Sequence, residues 1–266
     1  MSDDEIEASR APLLDHLIEL RTRLIKSLVG FFLAFVVCYF FAGHIYSFLV
    51  EPLAHAFEGQ ENRRLIFTAP QEAFFTYVKV AFFSAICVSF PIIASQIYMF
   101  MAPGLYRAER HAFLPFLAAT PVLFLMGAAL VYYLIMPLAL KFFLGFETPD
   151  GAGGLPIQLE AKLNEYLGLV MTLIFAFGLC FQLPVAVSLL ARAGIVSAAG
   201  LRKKRRYAIV GIFAVAAVVT PPDPISQISL ALPVVLLYEV GILAAVLIER
   251  ARARARDTET SLTVRN

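Results

Sequence analysis

Residues 112–140 read AFLPFLAATPVLFLMGAALVYYLIMPLAL, a segment without a single charged side chain. A helix needs about 20 apolar residues to cross the about 30 Å hydrocarbon core of a bilayer, and this segment exceeds that length. Five further apolar runs lie on either side of it, at residues 27–50, 80–106, 166–191, 207–222 and 225–248. The pattern predicts an all-α membrane protein with six transmembrane helices.

The composition agrees with a membrane protein, because charged residues make up 16% of the chain against about 25% in soluble domains. We expect one membrane domain over residues 1–266, with a basic, disordered tail at residues 249–266. The fifth and sixth helices are expected to be short, since the fifth run reaches only about 24 Å at about 1.5 Å per residue. The predicted helices are 25–46, 74–101, 111–140, 164–191, 205–220 and 225–248.

The distribution of basic residues predicts the orientation. If six spans alternate, 17 of the 22 lysines and arginines fall on the side of the N-terminus. Cytoplasmic loops carry the excess of Lys and Arg, so both termini are expected in the cytoplasm. The opposite connection TPPDP (residues 220–224) contains Pro221 and Pro222, which cannot continue a helix and predict a rigid turn.

Two acidic residues stand among arginines beside predicted spans. Glu19 lies in HLIELRTR (residues 16–23), and Glu109 stands between Arg107 and Arg110. Two carboxylates on one side of a membrane can bind paired guanidinium groups bidentately, in a way that lysines do not match. The alternatives are a local ion pair on an interfacial helix for Glu19 and a solvated loop charge for Glu109.

Other polar residues fall within or near the spans. Gln182 lies deep in the fourth run, where it should face protein or water, either bonding a neighbouring helix or docking a partner helix. Asp223 either caps the helix after Pro224 or has a functional role. Glu239 is expected near the inner interface, and Tyr132 is either a packing or an interfacial aromatic residue.

The chain carries no HExxH, GxSxG or Walker sequence, so the sequence predicts no enzyme and no catalytic residue. Neither its histidines nor its cysteines are grouped as metal ligands, and no cofactor, metal or nucleic-acid partner is expected. A secondary transporter of a small solute is the alternative function. Transporters tend to carry internal repeats and ionisable residues near the midplane, and neither is evident here.

Several short motifs are similar to those of the TatC family, the polytopic core of the twin-arginine protein translocase. Together they extend over roughly residues 12–250, and each would be weak alone. The matching segments are HLIELR (16–21), QIYMFMAPGLY (96–106) with Glu109 and Arg110, LRKKR (201–205), TPPD (220–223), YEVG (238–241), Pro52 with Leu53, and Tyr132.

The resemblance implies a fold and a function. In that family, acids matching Glu19 and Glu109 recognise the arginine pair of a signal peptide on a folded cargo protein, and Arg21 and Phe100 lie in the same region. Expected partners are single-span TatA and TatB proteins near helices four to six, other copies of the chain, and the bilayer of the bacterial inner membrane. Export is driven by the protonmotive force, and the six helices form a curved, glove-like arrangement.

The resemblance also assigns two groups of further residues. Pro52, Pro221 and Pro222 are expected in structural turns, whereas Gln182, Tyr132, Asp223 and Glu239 are expected to be intramembrane polar or partner-docking residues. The family often has glutamate where this chain has Gln182. Glutamine keeps the hydrogen-bonding capacity but cannot ionise, so a docking function survives the change and a charge-dependent one does not.

Overall fold

The computed structural model describes residues 3–58, 63–101, 114–148, 155, 157–220 and 223–263. These residues form α-helices, one π-helical turn and short connections with isolated β-bridges. In chain order the helices are α1 (Asp3–Phe40), α2 (Ala42–Ala56), α3 (Glu72–Met101), α4 (Leu114–Leu130), the π-turn (Val131–Ile135), α5 (Met136–Leu144), α6 (Leu163–Cys180), α7 (Leu183–Arg192), α8 (Ala198–Lys203), α9 (Arg205–Val219) and α10 (Pro224–Thr263).

Five segments of the described chain are long and apolar enough to cross a membrane. They match predicted helices one to four and six. The predicted fifth helix corresponds to α9, which has 15 residues and rises about 22 Å at about 1.5 Å per residue. The five segments are His16–Phe40, Glu72–Phe100, Phe116–Leu144, Leu163–Arg192 and Pro224–Arg254.

Three features differ from the sequence prediction. The first predicted helix is divided at Phe41 into α1 and α2, and α1 begins at Asp3. Pro52 lies inside α2, not in a turn, because a helix can continue through a proline with the loss of one backbone hydrogen bond. The sixth helix is not short and the tail is helical to Thr263, since α10 has 40 residues and alanine and arginine in ARARAR (251–256) favour a helix.

One compact unit comprises residues 1–48 and 71–121. Here α1 packs along α3, and small buried side chains line the contact, among them Cys38 on α1 and Ala81 and Ala85 on α3. At Gly30 an added Cβ would lie 3.1 Å from the Ile92 side chain. Small residues therefore allow the two helices to approach closely, as is common between membrane helices.

The second unit comprises residues 49–70 and 122–266. Two glycines set the crossing of α4 with α6. A Cβ added at Gly127 would stand 2.8 Å from the Phe177 carbonyl oxygen, and one added at Gly178 would stand 2.4 Å from the Phe124 ring. The helices thus touch almost backbone to backbone, and a larger residue at either glycine would overpack the contact.

Two connections of the second unit are fastened to each other. Their described residues are 57–58, 63–70, 145–148, 155 and 157–162, and we call this region the loop end. The Leu163 N–H donates to the Ile66 carbonyl at 2.9 Å. Arg63 Nη1 and Nη2 donate to the two carboxylate oxygens of Glu147 at 2.8 and 2.6 Å. This bidentate pair joins residues 84 positions apart in the chain.

Candidate functional site

The start of α1 and the end of α3 carry the first group of candidate residues. Glu19 lies on α1, and its side chain is 31% exposed. Arg23, one turn later, donates from Nη2 to Glu19 Oε1 at 3.2 Å. The spacing of four residues places both side chains on one face of the helix. The local ion pair considered for Glu19 is therefore present.

Arg23 also reaches the neighbouring helix. Its Nη1 lies 3.4 Å from Gln96 Oε1 and 3.4 Å from Met99 Sδ, both on α3. The guanidinium group thus links the two helices while it uses one oxygen of Glu19. Within the described residues, Glu19 Oε2 makes no hydrogen bond, so this oxygen is available to a further donor.

An aromatic contact lies beside this ion pair. The ring of His16 on α1 stacks on that of Phe100 on α3, with 4.3 Å between centroids and 22° between planes. His16 and Glu19 are three residues apart and so share a face of α1. Arg21 lies on the same helix and is exposed. The structure therefore places Glu19 and Phe100 in one contact region, which we call the α1–α3 site.

The second predicted acid, Glu109, lies in residues 102–113, outside the described part of the chain. The prediction that Glu19 and Glu109 converge on one ligand therefore remains a prediction. Pro221 and Pro222 also lie outside the described residues, and the rigid turn assigned to them keeps the same status.

Two of the predicted intramembrane polar residues are bonded within the second unit. Tyr132 is buried in the π-turn, and its hydroxyl donates to Glu51 Oε2 at 2.9 Å. Gln182 lies in the turn that separates α6 from α7, and its Nε2 donates to the Gly178 carbonyl at 3.4 Å. Both side chains thus have polar contacts with their own chain, as a polar group at membrane depth requires.

The other two residues of this group have different surroundings. Asp223 is buried, and its Oδ1 accepts the backbone N–H of Ser226 at 2.7 Å. This contact confirms that Asp223 caps α10, which was one of the two interpretations of the sequence. Glu239 on α10 accepts from Arg205 Nη2 at 2.7 Å, and both side chains are partly exposed. Its charge is therefore compensated within the chain.

Some contacting residues were not predicted from the sequence. The spacing of Glu19 and Arg23 could have identified that pair, but nothing local to His16, Gln96 or Glu51 indicates its partner. These partners lie on other helices, so only the packing defines them. Among the described residues, no group of histidine, cysteine or acidic side chains could hold a metal ion.

The comparisons with known proteins agree with one another. The family model described as Sec-independent protein translocase protein (TatC) matches residues 15–233. The TatC protein of Magnetococcus marinus is 48% identical over 94% of this chain and 89% of its own length. The TatC protein of Escherichia coli is 38% identical over 87% of this chain and 86% of its own.

Solved structures show the same similarity in three dimensions. A crystal structure of the twin-arginine translocase receptor TatC superposes with a TM-score of 0.74, 32% identity, and coverage of 88% of this chain and 99% of that one. A second, of the same receptor in the detergent DDM, gives a TM-score of 0.75 at 33% identity, covering 86% of this chain and 99% of that one. These matches support the translocase interpretation and not a solute transporter. The chain belongs to the TatC family of Sec-independent protein translocases, multi-pass membrane proteins that are components of protein transport and not enzymes.

Proposed function

We propose that this chain is the receptor of a twin-arginine translocase and that Glu19 and Glu109 bind the arginine pair of a signal peptide. One observation supports the proposal most directly: Glu19 already holds a guanidinium group, that of Arg23, at 3.2 Å. The site is therefore chemically suited to arginine. Phe100 adds an apolar surface beside it, and Arg21 lies on the same helix.

The proposed orientation puts the α1–α3 site in the cytoplasm, where precursors are made. The distribution of basic residues supports this orientation, with both termini on the cytoplasmic side. The bacterial inner membrane is the proposed location, since the relatives are bacterial proteins. Transport of folded cargo is then driven by the protonmotive force, and the chain needs no cofactor of its own.

Single-span TatA- and TatB-type proteins and further copies of this chain are the proposed partners. The exposed surface of α9 and α10 supports this proposal, because it carries large apolar side chains such as Val218 and Leu247. Gln182 is the polar residue proposed to dock a partner helix. If Gln182→Leu leaves co-purification of TatA and TatB unchanged, this part of the proposal fails.

The receptor proposal is tested with a photo-crosslinkable twin-arginine precursor and membranes containing the chain. Glu19→Gln and Glu109→Ala should each reduce crosslinking by about tenfold or more, because a charge-assisted hydrogen bond contributes about 1.5–3 kcal/mol. A precursor with both arginines changed to lysine should lose crosslinking similarly. Glu58→Gln is the matched control, since Glu58 is an exposed acid in the loop end. Undiminished crosslinking in the two variants and with the lysine precursor would overturn the proposal.

A further inference from the structure

A cavity of ≈ 490 Å³ opens in the second unit, beside the π-turn. Its size falls in the about 300–1,000 Å³ range of small-molecule sites. Three structural elements contribute to it: α2 and, from a later part of the chain, the π-turn and α5. The residues on which the argument rests are Glu51, His55, Tyr132, Tyr133, Pro137 and Lys141.

The π-turn gives the two tyrosines of this cavity different environments. Tyr132 is buried and donates to Glu51 Oε2 at 2.9 Å, whereas Tyr133 is 73% exposed. Their rings meet edge to face with 4.9 Å between centroids. A π-turn inserts one extra residue into a helix, and such insertions are frequent at functional sites. Here the insertion contains Tyr132, the residue that donates to Glu51.

Glu51 retains acceptor capacity toward the cavity. Its Oε2 accepts from Tyr132, and its Oε1 forms a loose ion pair with His55 Nε2 at 3.7 Å when that imidazole is protonated, at a separation longer than a hydrogen bond. The other nitrogen of His55, Nδ1, lies 2.6 Å from Glu58. Among the described residues no other donor is within hydrogen-bond reach of Glu51 Oε1, so this oxygen can accept from a ligand cation.

Lys141 provides the opposite charge. It lies on α5, is exposed, and forms no ion pair with any residue that the structure describes. A lysine ammonium is a compact charge with three donors that suits a phosphate group. The cavity thus offers a carboxylate, which His55 approaches without a hydrogen bond, and an ammonium group with no ion-pair partner among the described residues.

The position of the cavity favours a lipid as the source of a ligand. The membrane-length segment Phe116–Leu144 ends three positions after Lys141, so the cavity lies at the level where headgroups begin. Beside the cavity, the π-turn and α5 expose the side chains of Tyr133, Leu134 and Leu138. They provide an apolar surface for acyl chains directly next to the charged groups.

We propose that this cavity binds the headgroup of a phospholipid that carries both a primary ammonium and a phosphate, as phosphatidylethanolamine does. The ammonium donates to Glu51 and the phosphate accepts from Lys141, while the acyl chains lie against Tyr133 and its apolar neighbours. Phosphatidylglycerol has no cation for Glu51, and the quaternary ammonium of phosphatidylcholine has no N–H to donate. The proposal does not depend on the receptor function.

The test measures lipid retained by the purified full-length protein, using native mass spectrometry after exchange into vesicle lipids of defined headgroup. Phosphatidylethanolamine should be retained about tenfold better than phosphatidylcholine, the difference expected for a charge-assisted hydrogen bond. Glu51→Gln should abolish that preference while it keeps an acceptor for Tyr132. Lys141→Gln should weaken both lipids. Glu165→Gln is the control, because Glu165 forms an exposed pair with Lys162 in the same unit.

The outcomes distinguish the possible ligands of the cavity. Equal retention of the two lipids by the unsubstituted protein overturns the proposal, as does a preference for phosphatidylglycerol, which would indicate a site for anionic lipid only. Soluble O-phosphoethanolamine that competes only weakly supports the lipid as source, whereas binding as tight as that of the lipid would overturn it. Thermal unfolding of each variant shows whether it is folded. If Glu51→Gln does not fold, the comparison of lipids on the Lys141→Gln protein still decides, since the ammonium preference should persist there.

Discussion

Two guanidinium–carboxylate pairs in this chain use the same chemistry with different geometry. In the α1–α3 site, Arg23 gives Glu19 a single hydrogen bond at 3.2 Å, and the side chains are 24% and 31% exposed. In the loop end, Arg63 holds Glu147 through two hydrogen bonds at 2.8 and 2.6 Å, and the side chains are 10% and 14% exposed. The first arrangement leaves room for a competing arginine, and the second does not.

The loop-end pair has further support from the backbone. Arg63 Nη1 also donates to the Leu159 carbonyl at 3.0 Å, and the Leu159 N–H donates to Glu147 at 2.7 Å. The Arg63 guanidinium lies over the Phe57 ring at 5.1 Å from its centroid. Bidentate geometry and burial make such a pair stronger and more specific than a solvated one. We infer that this pair fixes loops, whereas the Glu19 pair can exchange its partner.

The largest expected effect follows from breaking the loop-end pair. Glu147→Gln removes the bidentate partner of Arg63, although Glu160 also acts on this arginine. It should lower the free energy of unfolding by about 1.5–3 kcal/mol, the range for hydrogen bonds to charged groups. Thermal unfolding of the purified protein in detergent measures the change. Lys162→Gln breaks an exposed pair and should cost less than about 1 kcal/mol. A loss at Glu147 no larger than this control would contradict the contrast between the two pairs.

The same pair predicts a pH dependence. The hydrogen bonds from Arg63 hold the pKa of Glu147 below its ordinary value. Its stabilising contribution is therefore complete above the unfolded-state pKa of about 4.3 and is lost as the pH falls through the lower folded-state value. The difference in unfolding midpoint between the unsubstituted protein and Glu147→Gln should be constant from pH 7 to 6 and narrow below pH about 4. A difference that is independent of pH down to pH 3 would contradict it.

An intermediate case is the carboxylate that binds a backbone N–H. Asp223→Ala removes the cap of α10 and should lower the free energy of unfolding by about 1 kcal/mol. Asp223→Asn keeps an acceptor for Ser226 and should recover most of this loss. Thermal unfolding of both variants makes the comparison, and equal losses would show that the effect does not come from the cap.

The smallest effect on stability is expected at the exchangeable pair. Arg23→Gln removes the pair with Glu19 and the weak contacts with Gln96 and Met99. It should lower the free energy of unfolding by less than about 1 kcal/mol. Binding of a twin-arginine peptide should become tighter, because the competing guanidinium group of Arg23 is gone. Peptide titration and thermal unfolding of the same preparation measure both quantities. A stability loss comparable to that of Glu147→Gln would remove the distinction between the two pairs.

Much of the helical framework could be predicted from the sequence, because uncharged runs of membrane length have few alternatives. The predicted spans at residues 111–140 and 164–191 correspond to Phe116–Leu144 and Leu163–Arg192. The predicted end of the sixth helix at residue 248 was wrong, because the end of an apolar run does not by itself end a helix. The helix α10 continues through ARARAR to Thr263 because nothing in that sequence stops a helix.

The candidate site could be predicted only in part. Glu19 stood out because an acid beside a span is unusual, and its spacing from Arg23 is a local signal. The stacking of His16 on Phe100 joins residues far apart in the chain. Composition and periodicity therefore do not predict this contact. The cavity beside the π-turn is similar, since an extra residue in a helical turn cannot be seen in hydropathy.

Hydrophobic length and short motifs are local properties, so the membrane class, most of the spans, the family and the acids to examine could be read from the order of residues. Which carboxylate holds which guanidinium group, and how tightly, depends on the folded arrangement of the helices and loops. That difference arises from packing. Glu147 meets Arg63 through two loops that bury both, while Glu19 meets Arg23 on one partly exposed face of α1. Burial and geometry, which depend on distant parts of the chain, therefore separate a structural ion pair from an exchangeable one.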